Sequence, residues 1–492
     1  VEEAVFSPAG TNIDAEKNYF LNLHMLLGYF DGLSERPYQL TFLKPDNFVP
    51  ATSLKESPSN IPGASVFTAN RYFEVTDNPI MFSEPNSEIF KVNDIEVTLS
   101  VYSPNKAYSA ASIKSDMEKM MTAQKSFLGD IDATKNYHIL LYLSTMQPND
   151  AKGMGALEHH TSTTVVLPES MPKEMLVKSM VDVVSHEFFH IVTPLTVHSE
   201  EVHYFDYNNP KMSKHLWMYE GVTEYFAQLF QIQQGLITEQ EFYDRINGKI
   251  EGSKRYDDAM SFTEMSQNIL KEPYKENYVN VYEKGALIGM CIDLILREES
   301  NGEKGILWLM KQLSSKYGID KPFDDDKIID EIVALTYPEV GSFFKTHVIG
   351  NTPIDYTSFL GKTGLEFSTS TQPTGFFLNG QIPFIDVDPS TKEVFFMETD
   401  LSSFLNSFGI KSGDIIKSVN GTDYNLDNIR DLVIGSFSWK EGDDLSMLVL
   451  RDGQEISLSG KITTPTIDIT KLTKKPVTTP EEDKLRNDWM KK

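Results

Sequence analysis

His186-Glu187-Phe188-Phe189-His190 is the stretch that decides how the rest of the chain is read. The surrounding residues, Met175 to Ile191, carry apolar side chains at helical spacing and predict a helix. In a helix, positions i and i+4 share a face, so both imidazoles reach toward one point. Glu187 projects roughly 100° around the same turn, beside that point. Two imidazole nitrogens and a neighbouring carboxylate are what a zinc hydrolase needs around its catalytic water. The same pentapeptide also fits an ordinary helix whose His and Glu face solvent, so the reading turns on what surrounds it.

A chain of 492 residues is too long for one compact core and predicts two to four domains. Its apolar content of 40% and aromatic content of 11% are those of a folded protein with sizeable cores. The formal net charge of −26 argues against nucleic acid as a partner and disfavours an anionic membrane surface. No apolar run reaches the ~18 residues that cross a bilayer, so no transmembrane segment is expected. Cys291 is the single cysteine, so no intrachain disulfide forms, and its apolar helical surroundings predict a buried thiol. The chain begins at Val1 rather than Met. The expected location is the bacterial periplasm or cell envelope if a signal segment has been removed, and the cytoplasm otherwise.

Residues 1–105 predict an N-terminal β-domain. Tyr38 to Leu43 is rich in β formers, and Ile95, Val97, Leu99 and Val101 alternate with polar residues. His24, alone among apolar residues, reads as a satisfied core side chain. From Ser103-Pro104-Asn105 the character changes. Helical spacing over 110–128 and an apolar strand from Tyr137 to Ser144 open a mixed α/β region, 106–365. There follow a loop and edge strand over 145–165, the motif helix, an irregular loop over 192–216 and a second helix after Trp217. Thr238 with Glu241 forms a capping box for another helix. Residues 366–465 are β-rich again, with glycine-bounded turns between Gly409 and Gly421, a short helix from Leu426 to Ile434 and a hairpin across Asp452-Gly453. Residues 466–492 predict a polar C-terminal tail with one weak helical turn.

Seven of the ten histidines lie between His159 and His215, where metal or proton chemistry is therefore expected. A catalytic zinc takes three protein ligands plus water. Glu220, 30 positions after His190 in the string Trp217-Met218-Tyr219-Glu220-Gly221, is the candidate third ligand. Glu224 stands one helical turn on. It can accept an N–H from a ligating imidazole and fix its tautomer, or it can be a solvated surface carboxylate. His198, His203 and His215 are expected at the surface or the pocket rim.

HEFFH followed by WMYEGVTEY resembles the gluzincin metallopeptidases, whose carboxylate ligand lies on the helix after HExxH. Two further strings narrow the resemblance. Gly155-Ala156-Leu157-Glu158-His159 is similar to the Gly-Gly-Leu-Glu-His loop of the glycyl aminopeptidase family, and less closely to the Gly-x-Met-Glu-Asn loop of zinc aminopeptidases. Tyr282-Glu283-Lys284-Gly285 resembles the Tyr-x-Lys-Gly segment that carries their transition-state tyrosine. That family has a PDZ domain after its catalytic domain, and GIKSGDIIKSVNG, Gly409 to Gly421, resembles a PDZ core. The N-terminal region resembles the family's β-domain only loosely.

The resemblance implies a multidomain α+β chain: an N-terminal β-domain, a thermolysin-like catalytic domain of a small sheet plus helices, and a C-terminal PDZ-like β-rich domain. It implies Zn2+ held by His186, His190 and Glu220, with Glu187 as general base and proton shuttle. Glu158, with Gly155 and Ala156 in the same loop, would hold the substrate's free α-amino group, and Tyr282 would donate a hydrogen bond to the oxyanion. A carboxylate facing the terminal ammonium is how an exopeptidase counts from the chain end. The implied function is a zinc aminopeptidase acting on peptides with a free N-terminus and favouring Gly or Ala there. The PDZ-like domain would take a peptide C-terminus, with Gly375-Phe376-Phe377 and Gly364-Leu365-Glu366-Phe367 as alternative carboxylate-binding loops. The chain departs from the family after HExxH, where Ile191-Val192-Thr193-Pro194-Leu195 replaces aromatic and basic residues. That segment is expected to shape the substrate cleft, which puts the Gly/Ala preference in question. The roles of His159 and His160 stay open. A zinc endopeptidase, or a PDZ-type peptide-binding scaffold with a vestigial metal site, are the alternatives.

Overall fold

Ile95, Val97, Leu99 and Val101 are all buried along one strand, Ile95–Tyr102, in the computed structural model, which describes residues 8–131, 134–147, 150–151, 153–206, 208–380 and 382–491. The strand does not belong to a separate N-terminal β-domain. It pairs in parallel with Asn136–Ser144, Leu99 opposite Ile139, and so lies inside the sheet that supports the motif helix. Alternation marks a half-buried strand but says nothing about which sheet it joins. The five-stranded sheet runs Gly155–Glu158, Ser162–Pro168, Asn136–Ser144, Ile95–Tyr102, Ser87–Val92. Its three central strands are parallel and each edge strand is antiparallel to its neighbour.

Upstream, a four-stranded sheet (Asn12–Asp14, Asn18–Leu21, Ile80–Ser83, Val49–Ala51) and a three-stranded one (Tyr38–Leu43, Ala64–Ala69, Glu56–Ser57) form the N-terminal β region. Leu21, Phe48, Phe67, Tyr72 and Phe82 share one apolar core there. His24 is exposed, not a core side chain. It sits in a short turn, Leu23–Met25, whose single buried residue is Leu23.

The two residues between Glu187 and His190 fix the motif helix in place. Phe188 meets Tyr137 of the sheet edge-on, ring centroids 5.0 Å apart. Phe189 faces the other way and packs against Phe127, Phe226 and Phe230 of two further helices, Ala110–Leu128 and Thr223–Gln233, at 5.4–5.6 Å. Burying a phenylalanine side chain is worth ~1.5–3 kcal/mol. The helix is thus clamped from two sides, and its histidine face is left for chemistry.

The chain divides into two compact units, residues 1–365 with 474–492, and residues 366–473. The C-terminal segment is therefore not a tail. Thr466–Lys474 is a strand paired with Leu365–Pro373, and Pro480–Met490 is a helix with a full capping box between Thr479 and Glu482. Its Trp489 is fully buried and donates its indole N–H to the Tyr225 hydroxyl at 2.6 Å, which donates in turn to Asp293 at 2.8 Å. A polar composition conceals this helix because its packing rests on three residues near its end, Arg486, Trp489 and Met490.

The second unit is a sheet in the order Ile385–Val387, Val394–Phe396, Ile415–Val419, Asp444–Arg451, Gln454–Lys461, with Thr422–Asp423 added on Ile415–Val419. Two short helices, Ser403–Phe408 and Ile429–Ser436, share its core of Phe377, Phe396, Phe404, Ile416 and Val449. Asp414 in the GIKSGDIIKSVNG string is fully buried and takes two bonds from the Arg451 guanidinium, at 2.6 and 2.7 Å.

Candidate metal and peptide site

The motif helix is regular from Lys173 to Phe189 and His190 keeps right-handed helical dihedrals at its cap. The i, i+4 relation therefore holds, and the two imidazoles lie 4.8 Å apart at 81°. Each ring is held from behind. His186 Nδ1 bonds to Glu224 Oε2 at 2.8 Å, and His190 Nδ1–H donates to the Thr193 carbonyl at 3.1 Å. Both Nε2 atoms are left to face Glu220 Oε2, at 3.3 and 3.7 Å. One donor atom from each of His186, His190 and Glu220 lies within 4.8 Å of the others. Two imidazole nitrogens and a carboxylate oxygen, each ring's other nitrogen already bonded, is the donor set a catalytic zinc uses.

Glu220 reaches this point through a wide, π-helical turn, Trp217–Val222, which runs directly into Thr223–Gln233. Such turns recur at functional sites because they re-aim side chains within a continuous helix. Gly221 follows for a steric reason. A Cβ there would come within 2.4 Å of the Gly285 backbone, and one at Gly285 within 3.0 Å of Gly221 Cα. The two glycines let the turn touch the start of helix Lys284–Glu299, and that contact brings Tyr282 alongside: its ring lies 5.7 Å from that of His186.

Glu224 is anchored by Lys249 Nζ at 2.8 Å and by the Gln228 amide at 3.1 Å, both on Oε1. Burial alone raises its pKa. The His186 bond and the Lys249 charge outweigh it and hold the carboxyl down at about 2. Glu220 is likewise lowered against its burial, by His190 and His186. Burial disfavours the charged form of His186, but the hydrogen bonds to Glu220 and Glu224 reverse this and raise it well above the ordinary histidine range. Glu187 is pushed well up by burial; the His186 charge opposes that, and the nearby Glu158 and Glu220 charges add to it. A carboxyl raised this way is suited to accept a proton and release it again.

Oxygens of Glu158 and Glu187 and a nitrogen of His190 also lie within 4.8 Å of one another. Glu158 ends the edge strand, opposite Thr163, and Gly155 and Ala156 precede it there, half-buried. Gly155 adopts φ +141°, a conformation that favours glycine. The Tyr282 hydroxyl lies 3.2 Å from that of Tyr278. Burial and the Glu220 charge raise the Tyr282 pKa far beyond neutral pH, so the phenol keeps its proton and can donate it to a hydrogen bond.

The other histidines stand elsewhere. His159 and His160 flank Asp77, at 3.6 and 3.2 Å. His198 and His203 stack on each other, with Nε2 and Nδ1 3.0 Å apart. His215 is buried, not at the surface: its Nε2 bonds to the Asp325 carbonyl at 2.7 Å and its Nδ1 accepts from the Trp217 indole at 3.1 Å. Asp77, Thr193, Lys249 and Tyr278 complete the surroundings and carry no motif of their own. Lys249 is on a helix whose capping box is readable, Glu239–Ser253, but nothing in its spacing announces contact with Glu224. A cleft of about 710 Å3 opens from Glu158 between the sheet edge and the N-terminal β region, and Pro194 and Leu195 line it, as the departure after HExxH suggests.

His186, Glu187, His190, Glu220, Glu224 and Tyr282 fall within residues 179–288, which match the family model for the M61 glycyl aminopeptidase, whereas Glu158 precedes them; residues 3–84 match the model for the peptidase M61 N-terminal domain. The crystal structure of an aminopeptidase N family protein from Idiomarina loihiensis is similar with TM-score 0.73 and 19% identity, over 99% of this chain and 85% of that one. An M1 zinc metallopeptidase from Deinococcus radiodurans gives TM-score 0.49 and 11% identity over 71% of this chain and 73% of its own. Yeast LTA4 hydrolase gives 0.47 and 15% over 70% and 53%. No curated protein matches the chain. The resemblance to the glycyl aminopeptidase family and the multidomain α+β fold class are borne out, and the chain is a metallopeptidase.

Proposed function

We propose that the chain is a zinc-dependent aminopeptidase that hydrolyses the first peptide bond of peptides with a free N-terminus. The observation that carries this is the position of Glu158, with a carboxylate oxygen within 4.8 Å of Glu187 and His190 donor atoms. The α-amino nitrogen and the first carbonyl carbon of a peptide are two bonds apart, ~2.5 Å. A carboxylate this close to the hydrolytic groups therefore suits an ammonium on the residue being cleaved, and an internal peptide bond offers none.

His186, His190 and Glu220 would hold the zinc. Zinc held there supplies Lewis acidity to a carbonyl oxygen and to water. Glu187 takes the proton from the attacking water and passes it to the leaving amine, as a buried carboxyl with a raised pKa can. The Tyr282 phenol donates to the developing oxyanion, a role whose loss typically costs ~10²–10³ in rate. Glu224 and the Thr193 carbonyl keep the two imidazoles oriented. Residues 366–465 are read as a PDZ-like domain that takes peptide C-termini.

Hydrolysis of unblocked and N-acetylated dipeptides and aminoacyl anilides, with and without chelator, tests the proposal. The expected result is turnover of free-amine substrates only, abolished by chelator and restored by zinc. Rapid cleavage of acetylated substrates would point to an endopeptidase, and no turnover of any free-amine peptide would leave a binding scaffold.

A further inference from the structure

The cleft at Glu158 is much larger than an N-terminal glycine or alanine requires. Its volume of about 710 Å3 falls within the ~300–1,000 Å3 of pockets that enclose drug-sized ligands. An α-amino group and its residue's side chain leave the same Cα, so a wall that begins at Glu158 receives the side chain of the first residue. Along that wall His160 stands edge-on to Phe73, ring centroids 5.2 Å apart at 84°, and the Arg71 guanidinium covers Phe73 at 4.9 Å. The same cleft is lined by Leu195, Val202 and Tyr204, and Tyr204 is 72% exposed. Large apolar side chains left in solvent around one concavity mark a surface kept for a ligand.

We infer that the site takes peptides whose N-terminal residue is large and aromatic, with Phe73 and His160 as the surface its ring packs on, rather than glycine or alanine. The inference rests on the aminopeptidase reading. Phe73 determines specificity here because aromatic rings meet best in offset or edge-on pairs, and His160 beside it already makes one such pair at 5.2 Å and 84°.

Initial rates on the p-nitroanilides of phenylalanine, alanine and glycine test it. The kcat/KM for phenylalanine should exceed that for glycine by at least ~10-fold, since even one methylene in a fitted pocket discriminates by ~10–200-fold. Phe73→Ala should bring the phenylalanine-to-alanine ratio close to one, chiefly by raising KM for the aromatic substrate. If that variant does not fold, Phe73→Leu keeps the apolar bulk and should still lower the ratio several-fold. Equal or faster cleavage of the glycine or alanine substrate by the unmodified enzyme overturns the inference while leaving the aminopeptidase reading intact. So does an unchanged ratio in a folded Phe73 variant. No cleavage of any of the three overturns the aminopeptidase reading, and the inference with it.

Discussion

His186 and His190 differ from the other five histidines between residues 159 and 215 in what stands behind them. Each has one nitrogen tied, to Glu224 or to the Thr193 carbonyl, and the other turned toward Glu220. The other five face partners elsewhere in the fold. His159 and His160 face Asp77, His198 faces His203, and His215 bridges the Asp325 carbonyl and the Trp217 indole. Histidine density therefore does not locate a metal site. What distinguishes the first set is that backed rings converge on a shared carboxylate, while the rings of the second set face separate partners away from Glu220.

The largest effect is expected where the first set meets the reaction. Glu187→Gln removes the proton acceptor but none of the converging donors. Turnover of a free-amine substrate should fall by ~10³–10⁴, near the upper end of what general acid–base groups contribute. Metal content measured by atomic absorption should stay at that of the unmodified enzyme. Loss of the metal would place Glu187 among the ligands, and activity kept within tenfold would put the general base elsewhere.

A smaller effect separates the two sets directly. Glu224→Gln weakens the charged partner of His186 and should lower zinc affinity by ~10–100-fold in a chelator competition, as changes to such backing residues do. His203→Gln alters a histidine of equal prominence in the sequence and should leave zinc affinity within about twofold. If both variants bind zinc equally, the backing contact is not what distinguishes the sets.

The sequence makes the first set legible because helical periodicity is local. His186, Glu187 and His190 follow from one pentapeptide, and Glu220 from a string whose glycine is needed for the contact with Gly285. The second set was not separable from it by position alone, because Asp77 comes from the N-terminal β region and Asp325 from a distant loop. Both are partners made by tertiary packing. The same limit explains the fold. Strand alternation at 95–101 was readable, its sheet was not, and Trp489 anchors a helix whose polar composition suggests a tail.

The smallest expected effect belongs to Asp77, the carboxylate that two histidines of the second set face. Asp77 is buried, and burial alone would raise its pKa. The close His159 and His160 side chains outweigh this and hold it at about 2, below the ordinary 3.8. A carboxyl lowered on folding stabilises the folded state above its unfolded pKa, and that stabilisation is lost as pH falls through the folded value. At 1.36 kcal/mol per unit, the contribution is about 2 kcal/mol above pH 5. Asp77→Asn removes the charge without removing the acceptor oxygen, so at pH 7 it should lower the unfolding free energy by up to about 2 kcal/mol and leave zinc affinity unchanged. Between pH 5 and pH 3 the gap between the two proteins in urea denaturation should shrink by about half, because only the unmodified protein takes up the proton. A gap that stays constant over that range would mean the histidines do not hold Asp77 ionised. A fall in zinc affinity would mean the two histidine sets are coupled, and the division between a converging site and a structural pair would then fail.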